Sequence, residues 1–313
     1  MLKTAFVLLM TASSAFWPFL ANQPMDPSLF AVAPFEASRN PISNSTALTP
    51  FFQQLAAIES HTRRRPLRII QYGDSHTKAD LFTGAVRKNL MRDFGDNAPA
   101  LVNRTAYTPR SAERQLTVYQ PMGINGARAK RLRDLSDDPG FLQGLAQERP
   151  DLIVLAYGTN EVTDEDWTVT SYSRMYIGII NRLRTAAPEA SFIIIGPPDR
   201  AVPSSNGWTS ARRMSSLLEA QQIAAATAGA AFWSEFDAMG GSGSMTDWVG
   251  RGLARFDHVH FTANGYTKLA GLFYRDLMNC YRSEAAQPQP YPLKGIDLRV
   301  MQGIPVPTRK RSN

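Results

Sequence analysis

Of the 313 residues only one is cysteine and only four are histidine. The lone Cys280 excludes an intramolecular disulfide and any cysteine-rich zinc site. Four histidines leave little choice wherever a general base is needed. The chain has no Gly-x-Ser-x-Gly elbow and no His-Glu-x-x-His metal helix. Its glycine-rich stretch Gly240–Ser244 fits neither a Walker loop nor a dinucleotide fingerprint and reads as a flexible rim loop. No internal repeat is visible, and no nucleic-acid module accompanies the basic residues. No metal or organic cofactor is expected, and no nucleic-acid partner.

The charge is lopsided. Thirty-four Lys and Arg against 27 Asp and Glu give a net +7, which favours contact with anionic surfaces such as a membrane or an acidic envelope polymer. Two clusters, Arg63-Arg64-Arg65 and Arg309-Lys310-Arg311, read as solvated basic patches. At the amino terminus Lys3 precedes the apolar run Ala5–Met10 and the small residues Ala12–Ala15, the pattern of an export signal with a cleavage site ending at Ala15. The run is too short and interrupted for a secure membrane span, though an uncleaved anchor is the alternative. Residues 1–21 are therefore expected to direct export, to the periplasm or to an inner-membrane anchor. Residues 22–50, rich in Pro, Ser and Asn, read as a linker or surface wrap. Residues 51–283 form the folded domain, and 284–313 a Pro-containing basic tail.

Within that domain short apolar runs alternate with helical patterns. Leu67–Tyr72, Leu152–Ala156, Phe192–Ile195 and Ala230–Trp233 read as strands. Between them, helical spacing appears at Phe52/Leu55/Ile58, at Leu81/Phe82/Val86/Leu90/Met91, over Tyr176–Leu183 and over Met214–Ala226. A last helix starts after an N-cap at Thr262, burying Tyr266, Leu269, Phe273 and Leu277. Strands that are apolar throughout and alternate with helices imply an α/β fold with a parallel sheet covered on both faces. Ligands in such folds bind beyond the carboxyl ends of the strands.

Three blocks sit at those ends or at a helix start. Gly73-Asp74-Ser75-His76 follows the first strand, so Ser75 stands on a tight turn at a helix start. Its hydroxyl is exposed there and its own N–H is free to face an oxyanion. Gly158-Thr159-Asn160-Glu161 follows the second apolar run, and the Asn160 amide is a second donor. Gly126, in Gly123-Ile124-Asn125-Gly126-Ala127, offers a third. Asp257-His258-Val259-His260 supplies the base. A spacing of three lets Asp257 reach one nitrogen of His260 while the other faces Ser75. His258 competes for that role but reads as a surface histidine, as does His61. His76 adjoins the nucleophile and is a candidate pocket-lining residue. Trp167, Trp208 and Trp248 are candidate sugar platforms, with Trp248 the chosen one. Arg251 and Arg255 are candidates to receive an anionic substrate.

On these blocks the chain resembles the SGNH, or GDSL-type, hydrolases over about Pro66–Tyr281. The resemblance implies a flavodoxin-like three-layer α/β/α sandwich and a bacterial exported esterase. Carried over by motif, Ser75 is the nucleophile, His260 the base and Asp257 its orienting acid. Ser75, Gly126 and Asn160 form the oxyanion hole. His76 departs from the family's usual Leu. The leading expectation is a serine esterase that removes a small acyl group, chiefly acetyl, from an envelope or extracellular carbohydrate. The same triad would also serve a lysophospholipase or thioesterase, or an O-acetyltransferase. A non-catalytic envelope-binding protein is the reading from another class.

Overall fold

The computed structural model describes residues 41–63, 65–95 and 117–285. The expected export segment 1–21, residues 22–40 of the expected linker and the tail from 286 lie outside the described residues. The rest of that linker does not behave as one. Ser43 forms an antiparallel bridge with Phe232, Asn44 Nδ2 donates to Ala230 O at 2.8 Å, and Ile42 and Leu48 are core residues. The folded unit thus begins about ten residues earlier than composition suggests. A bridge to a strand some 189 residues away leaves no local pattern.

A 3-10 turn, Ser45–Leu48, leads into α1 (Thr49–Glu59). Then come β1 (Leu67–Gly73), α2 (Ser75–Lys78) and α3 (Leu81–Phe94). After the undescribed stretch follow β2 (Thr117–Gly123), α4 (Ala129–Ser136), α5 (Pro139–Glu148) and β3 (Leu152–Ala156). Next are α6 (Val169–Ala186), β4 (Ser191–Gly196), a hairpin of β5 (Ala201–Ser204) and β6 (Gly207–Ser210), and α7 (Met214–Ala228). The chain closes with β7 (Ala231–Ser234), α8 (Glu235–Met239), α9 (Ser244–Gly250) and α10 (Ala263–Ala285).

The main sheet is parallel with strand order β2-β1-β3-β4-β7. Successive side chains of a strand point to opposite faces, and the core divides accordingly. Leu67, Ile69, Val154, Ile193 and Trp233 pack under α1, α3 and α10. Ile70, Tyr72, Ile153, Leu155 and Ile194 pack under α4 to α7. Both faces are therefore dry, which gives the three-layer α/β/α sandwich and explains why the inner strands are predominantly apolar. Strand order reverses between β1 and β3. This is the crevice where α/β sheets place ligands, and Ser75 and Asn160 follow the two strands that flank it.

The Arg63 and Arg65 side chains are not a solvated patch. Both reach Asp151 at the amino-terminal end of the sheet, at 2.6 and 2.5 Å, and the Arg68 N–H donates to the same carboxylate at 2.8 Å. Leu81, expected on the buried face of its helix, is exposed, whereas Phe82, Val86 and Leu90 are buried. Among the described residues no helix is long and apolar enough to cross a membrane.

Candidate active site

β1 ends at Gly73 because nothing larger fits. A Cβ there would lie 2.1 Å from Thr77 Oγ1 and 2.7 Å from the Ala156 carbonyl. The turn after it delivers Ser75 to the first position of α2. Asp74 caps that helix, accepting from His76 N at 2.9 Å. Burial pushes the Asp74 carboxyl up to about 6, even though the His76 N–H and the Thr159 hydroxyl favour its ionised form.

Ser75 Oγ lies 2.9 Å from His260 Nε2, and His260 Nδ1 lies 2.8 Å from Asp257 Oδ2. The other Asp257 oxygen accepts from the N–H groups of Val259 (3.0 Å) and His260 (2.9 Å). One carboxylate thus fixes both the loop and the imidazole. Partial burial opposes ionisation of Asp257. The His260 N–H, the His260 ring and the Val259 N–H more than offset it, so the carboxyl sits below its ordinary range. This series can take a proton from a serine hydroxyl and hold the resulting imidazolium.

Gly126 stands at the apex of the loop between β2 and α4 with φ +69°, a conformation natural to glycine. The next three residues are each tied to the segment after β3. Asn160 Nδ2 donates to Ala127 O at 2.9 Å. Arg128 forms a two-pronged pair with Asp164 at 2.5 and 2.8 Å. Ala129 N donates to Glu161 Oε1 at 2.7 Å, an oxygen that also accepts from the Tyr172 hydroxyl at 3.1 Å. The loop carrying Gly126 and the loop carrying Asn160 therefore form one unit. Glu161 is buried, and burial pushes its carboxyl up to about 7, against the opposing pull of the Ala129 N–H. Arg200 braces the same segment, donating to Thr159 O at 2.6 Å. Glu161 and Arg200 escape sequence reasoning as functional residues. An acid directly after Asn160 was the available signal for the first, and none existed for the second.

The expected substrate residues fare differently. His76 is buried beneath the site and lines no open surface. Its ring packs 5.2 Å from that of His260, and its Nδ1 shares a 3.0 Å hydrogen bond with the Tyr266 hydroxyl. Burial, reinforced by His260, lowers its pKa to about 3, so it stays neutral beside His260. Trp248 is only 1% exposed. It packs on Phe261 and donates to Met239 O at 3.2 Å, so it is a core residue and not a platform. Trp167 is buried as well, under the Arg213 guanidinium. Arg251 is exposed and paired with Asp247. Arg255 is exposed too, and its N–H donates to His260 O at 2.7 Å. His258 is not a surface histidine. It is buried, left-handed at φ +54°, and covered by Trp208. The glycine loop after α8 is fastened and does not hang free: Gly243 N donates to Ser210 Oγ at 2.8 Å and Met245 N to Asp199 Oδ2 at 3.0 Å. Among the described residues no group of three or more His, Cys, Asp or Glu is disposed to hold a metal ion.

A serine hydroxyl at the switch point of a parallel α/β sandwich, facing an imidazole, is the arrangement of an acyl hydrolase. The chain belongs to the GDSL-like Lipase/Acylhydrolase family, whose profile matches residues 72–268, and it is an ester-hydrolysing enzyme. A solved peptidoglycan O-acetylesterase shares the fold, with TM-score 0.66 and 21% identity over 78% of this chain and 99% of that one. A lipase/acylhydrolase from Enterococcus faecalis aligns at TM-score 0.46 and 18% identity, over 68% and 96% of the two chains. An acetyl xylan esterase aligns at 0.46 and 16%, over 67% and 98%. No curated protein matches in sequence.

Proposed function

We propose that the protein is a serine esterase that removes a small acyl group, chiefly acetyl, from an envelope carbohydrate. The observation that carries this reading is the continuous hydrogen-bonded series Ser75–His260–Asp257. Ser75 Oγ attacks the ester carbonyl carbon as its proton passes to His260 Nε2, and Asp257 holds the imidazolium. Negative charge develops on the carbonyl oxygen. The Ser75 N–H, the Gly126 N–H and the second hydrogen of Asn160 Nδ2 are its donors. Collapse of the tetrahedral intermediate breaks the C–O bond, and His260 returns the proton to the departing sugar oxygen. Water, deprotonated by the same imidazole, then attacks the acyl-serine. A carboxylic acid leaves and Ser75 regains its proton.

Two features support a small acyl group and a glycan. The floor below His260 is filled by the His76, Phe261 and Tyr266 rings, packed 5.2 to 5.8 Å apart, so a long chain cannot descend on that side. The peptidoglycan O-acetylesterase shares the fold over nearly its whole length. Export, as the amino-terminal sequence pattern is read, would bring the protein to the compartment that holds such polymers. The test is hydrolysis of p-nitrophenyl acetate, butyrate and octanoate by the wild type and by Ser75→Ala. Acetate preference that vanishes in the variant is expected. A preference for octanoate moves the substrate to lipids, and equal rates in the two proteins remove Ser75 as nucleophile.

A further inference from the structure

The large apolar side chains that are well exposed among the described residues are Leu81, Met122, Ile124, Trp208 and Phe256. All five belong to segments at the carboxyl end of the sheet, where the triad stands. Two flank the triad directly. Phe256, 90% exposed, precedes Asp257 in the chain, and Trp208 covers the residue after it.

Trp208 is held in an unusual way. Its ring stacks on His258 with centroids 3.9 Å apart and planes 14° from parallel. His258 is buried, so one indole face is spent on the protein, yet the residue remains 43% exposed. The hairpin that carries it is pinned on both sides. Ala201 N donates to His258 O at 3.2 Å and Ala211 N to Arg200 O at 2.8 Å, and Ser210 Oγ accepts from Gly243 N at 2.8 Å. The indole is therefore ordered before any ligand arrives, which removes most of the entropic cost of using it. Its support, His258, lies between Asp257 and His260, so the free face has a fixed relation to the reacting atoms.

We infer that the outer face of Trp208 is a stacking subsite for a pyranose ring of the ester-bearing glycan. The inference deepens the proposed function and rests on it. A flat, one-sided apolar face suits a sugar, which covers it with C–H groups while its hydroxyls stay in water. An acyl chain needs enclosing walls. The neighbours agree: Ser204, Ser205, Asn206 and Thr209 are exposed, polar and uncharged.

The experiment compares wild type, Trp208→Ala and Trp208→Tyr on O-acetylated peptidoglycan fragments and on p-nitrophenyl acetate, which has no sugar. In Trp208→Ala the KM for the glycan ester should rise about five- to tenfold more than the KM for p-nitrophenyl acetate, as one aromatic contact is worth. Trp208→Tyr should recover most of that difference. De-O-acetylated fragments should inhibit p-nitrophenyl acetate hydrolysis by wild type more strongly than by Trp208→Ala. Equal KM changes on both esters would make Trp208 merely a prop for the 257–260 loop and overturn the subsite. An unchanged KM on the glycan would overturn it as well, while leaving the esterase reading intact. Wild type that cleaves p-nitrophenyl acetate but no acetylated glycan overturns both the subsite and the carbohydrate part of the proposed function.

Discussion

Replacing Glu161 tests whether the proposed oxyanion loop is positioned from the neighbouring strand. Its Oε1 accepts from the Ala129 N–H and the Tyr172 hydroxyl, both inside the protein. Glu161→Ala leaves two buried donors without a partner, at about 1–3 kcal/mol each, so a loss of roughly 2–6 kcal/mol in stability is expected. It also removes one of three ties on residues 127–129. Losing an oxyanion donor outright costs on the order of 10²–10³ in kcat. A loosened donor should cost about 10- to 50-fold, with little change in KM because the oxyanion exists only beyond the ground state. Glu161→Gln keeps the accepting oxygen and should hold kcat within about threefold. The two variants differ in pH behaviour as well. Burial raises the Glu161 carboxyl to about 7, so the folded state binds the extra proton between the unfolded value and about 7. Its contribution to stability is then greatest below the unfolded value and declines as pH rises through about 7. Glu161→Gln removes that slope. Urea unfolding at pH 5, 6.5 and 8 should show the Gln variant gaining on wild type by up to roughly 3 kcal/mol as pH rises. Wild-type kcat in Glu161→Ala, measured on p-nitrophenyl acetate, would refute the clamp. Parallel pH profiles of stability for Glu161→Gln and wild type would refute the buried proton.

Asp257 is 46% exposed at its side chain, so solvent screens part of its attraction for the imidazolium. Asp257→Asn should lower kcat/KM by about 10²–10³, short of the roughly 10⁴ typical of a buried triad aspartate; steady-state kinetics decide. Asp151→Ala leaves Arg63 and Arg65 without their partner at the far end of the sheet. It should cost about 3–5 kcal/mol by denaturant unfolding, with activity per folded molecule retained. A double-mutant cycle of His76→Leu and Tyr266→Phe should return about 1 kcal/mol of coupling from their 3.0 Å bond, and additive losses would show the bond to be idle. Deleting residues 1–15 should hold the protein in the cytoplasm on cell fractionation, and unchanged export would remove the signal reading.

What could be read from sequence followed burial. β1, β3, β4 and β7 lie inside a sheet covered on both faces, so their runs are apolar and stand out. β2 and β7 are the two edge strands, but β7 is buried throughout, whereas in β2 Gln120 and Pro121 are only partly covered and Met122 is exposed, so β2 carries no such run. The β5–β6 hairpin pairs Ala201–Ser204 with Gly207–Ser210, but these short, mostly exposed strands carry no apolar run to mark them, and bonds to His258 and Gly243 fix where the hairpin sits. Trp248 shows the limit from the other side. A tryptophan between glycines resembles a loop residue until Phe261 and Met239 are seen to enclose it. The Arg63 and Arg65 pair fails in the same way, since the compensating charge at Asp151 is more than 80 residues distant.

The proposed nucleophile and base reach the site by independent routes. Ser75, Gly126 and Asn160 hang from the ends of three adjacent strands, so the sheet's hydrogen bonds set their mutual spacing. Asp257 and His260 come from the approach to α10, a helix held by side-chain packing and by hydrogen bonds from Trp233 to its Asp276, from its Tyr274 to Asp93 and from its Tyr281 to Glu59. Those bonds lie farther along α10, whereas proton transfer needs Ser75 Oγ and His260 Nε2 within hydrogen-bond distance at its amino-terminal end. His76 bridges that gap. It follows Ser75 directly, lies against the His260 ring, and bonds Tyr266 on the first turn of α10. A leucine at position 76 would fill the same space without anchoring the helix. The departure at His76 is thus best understood as a peg that fixes the register of the base-bearing segment against the nucleophile. Its low pKa fits that task, because a second charged imidazole beside His260 would oppose the proton transfer proposed for the triad.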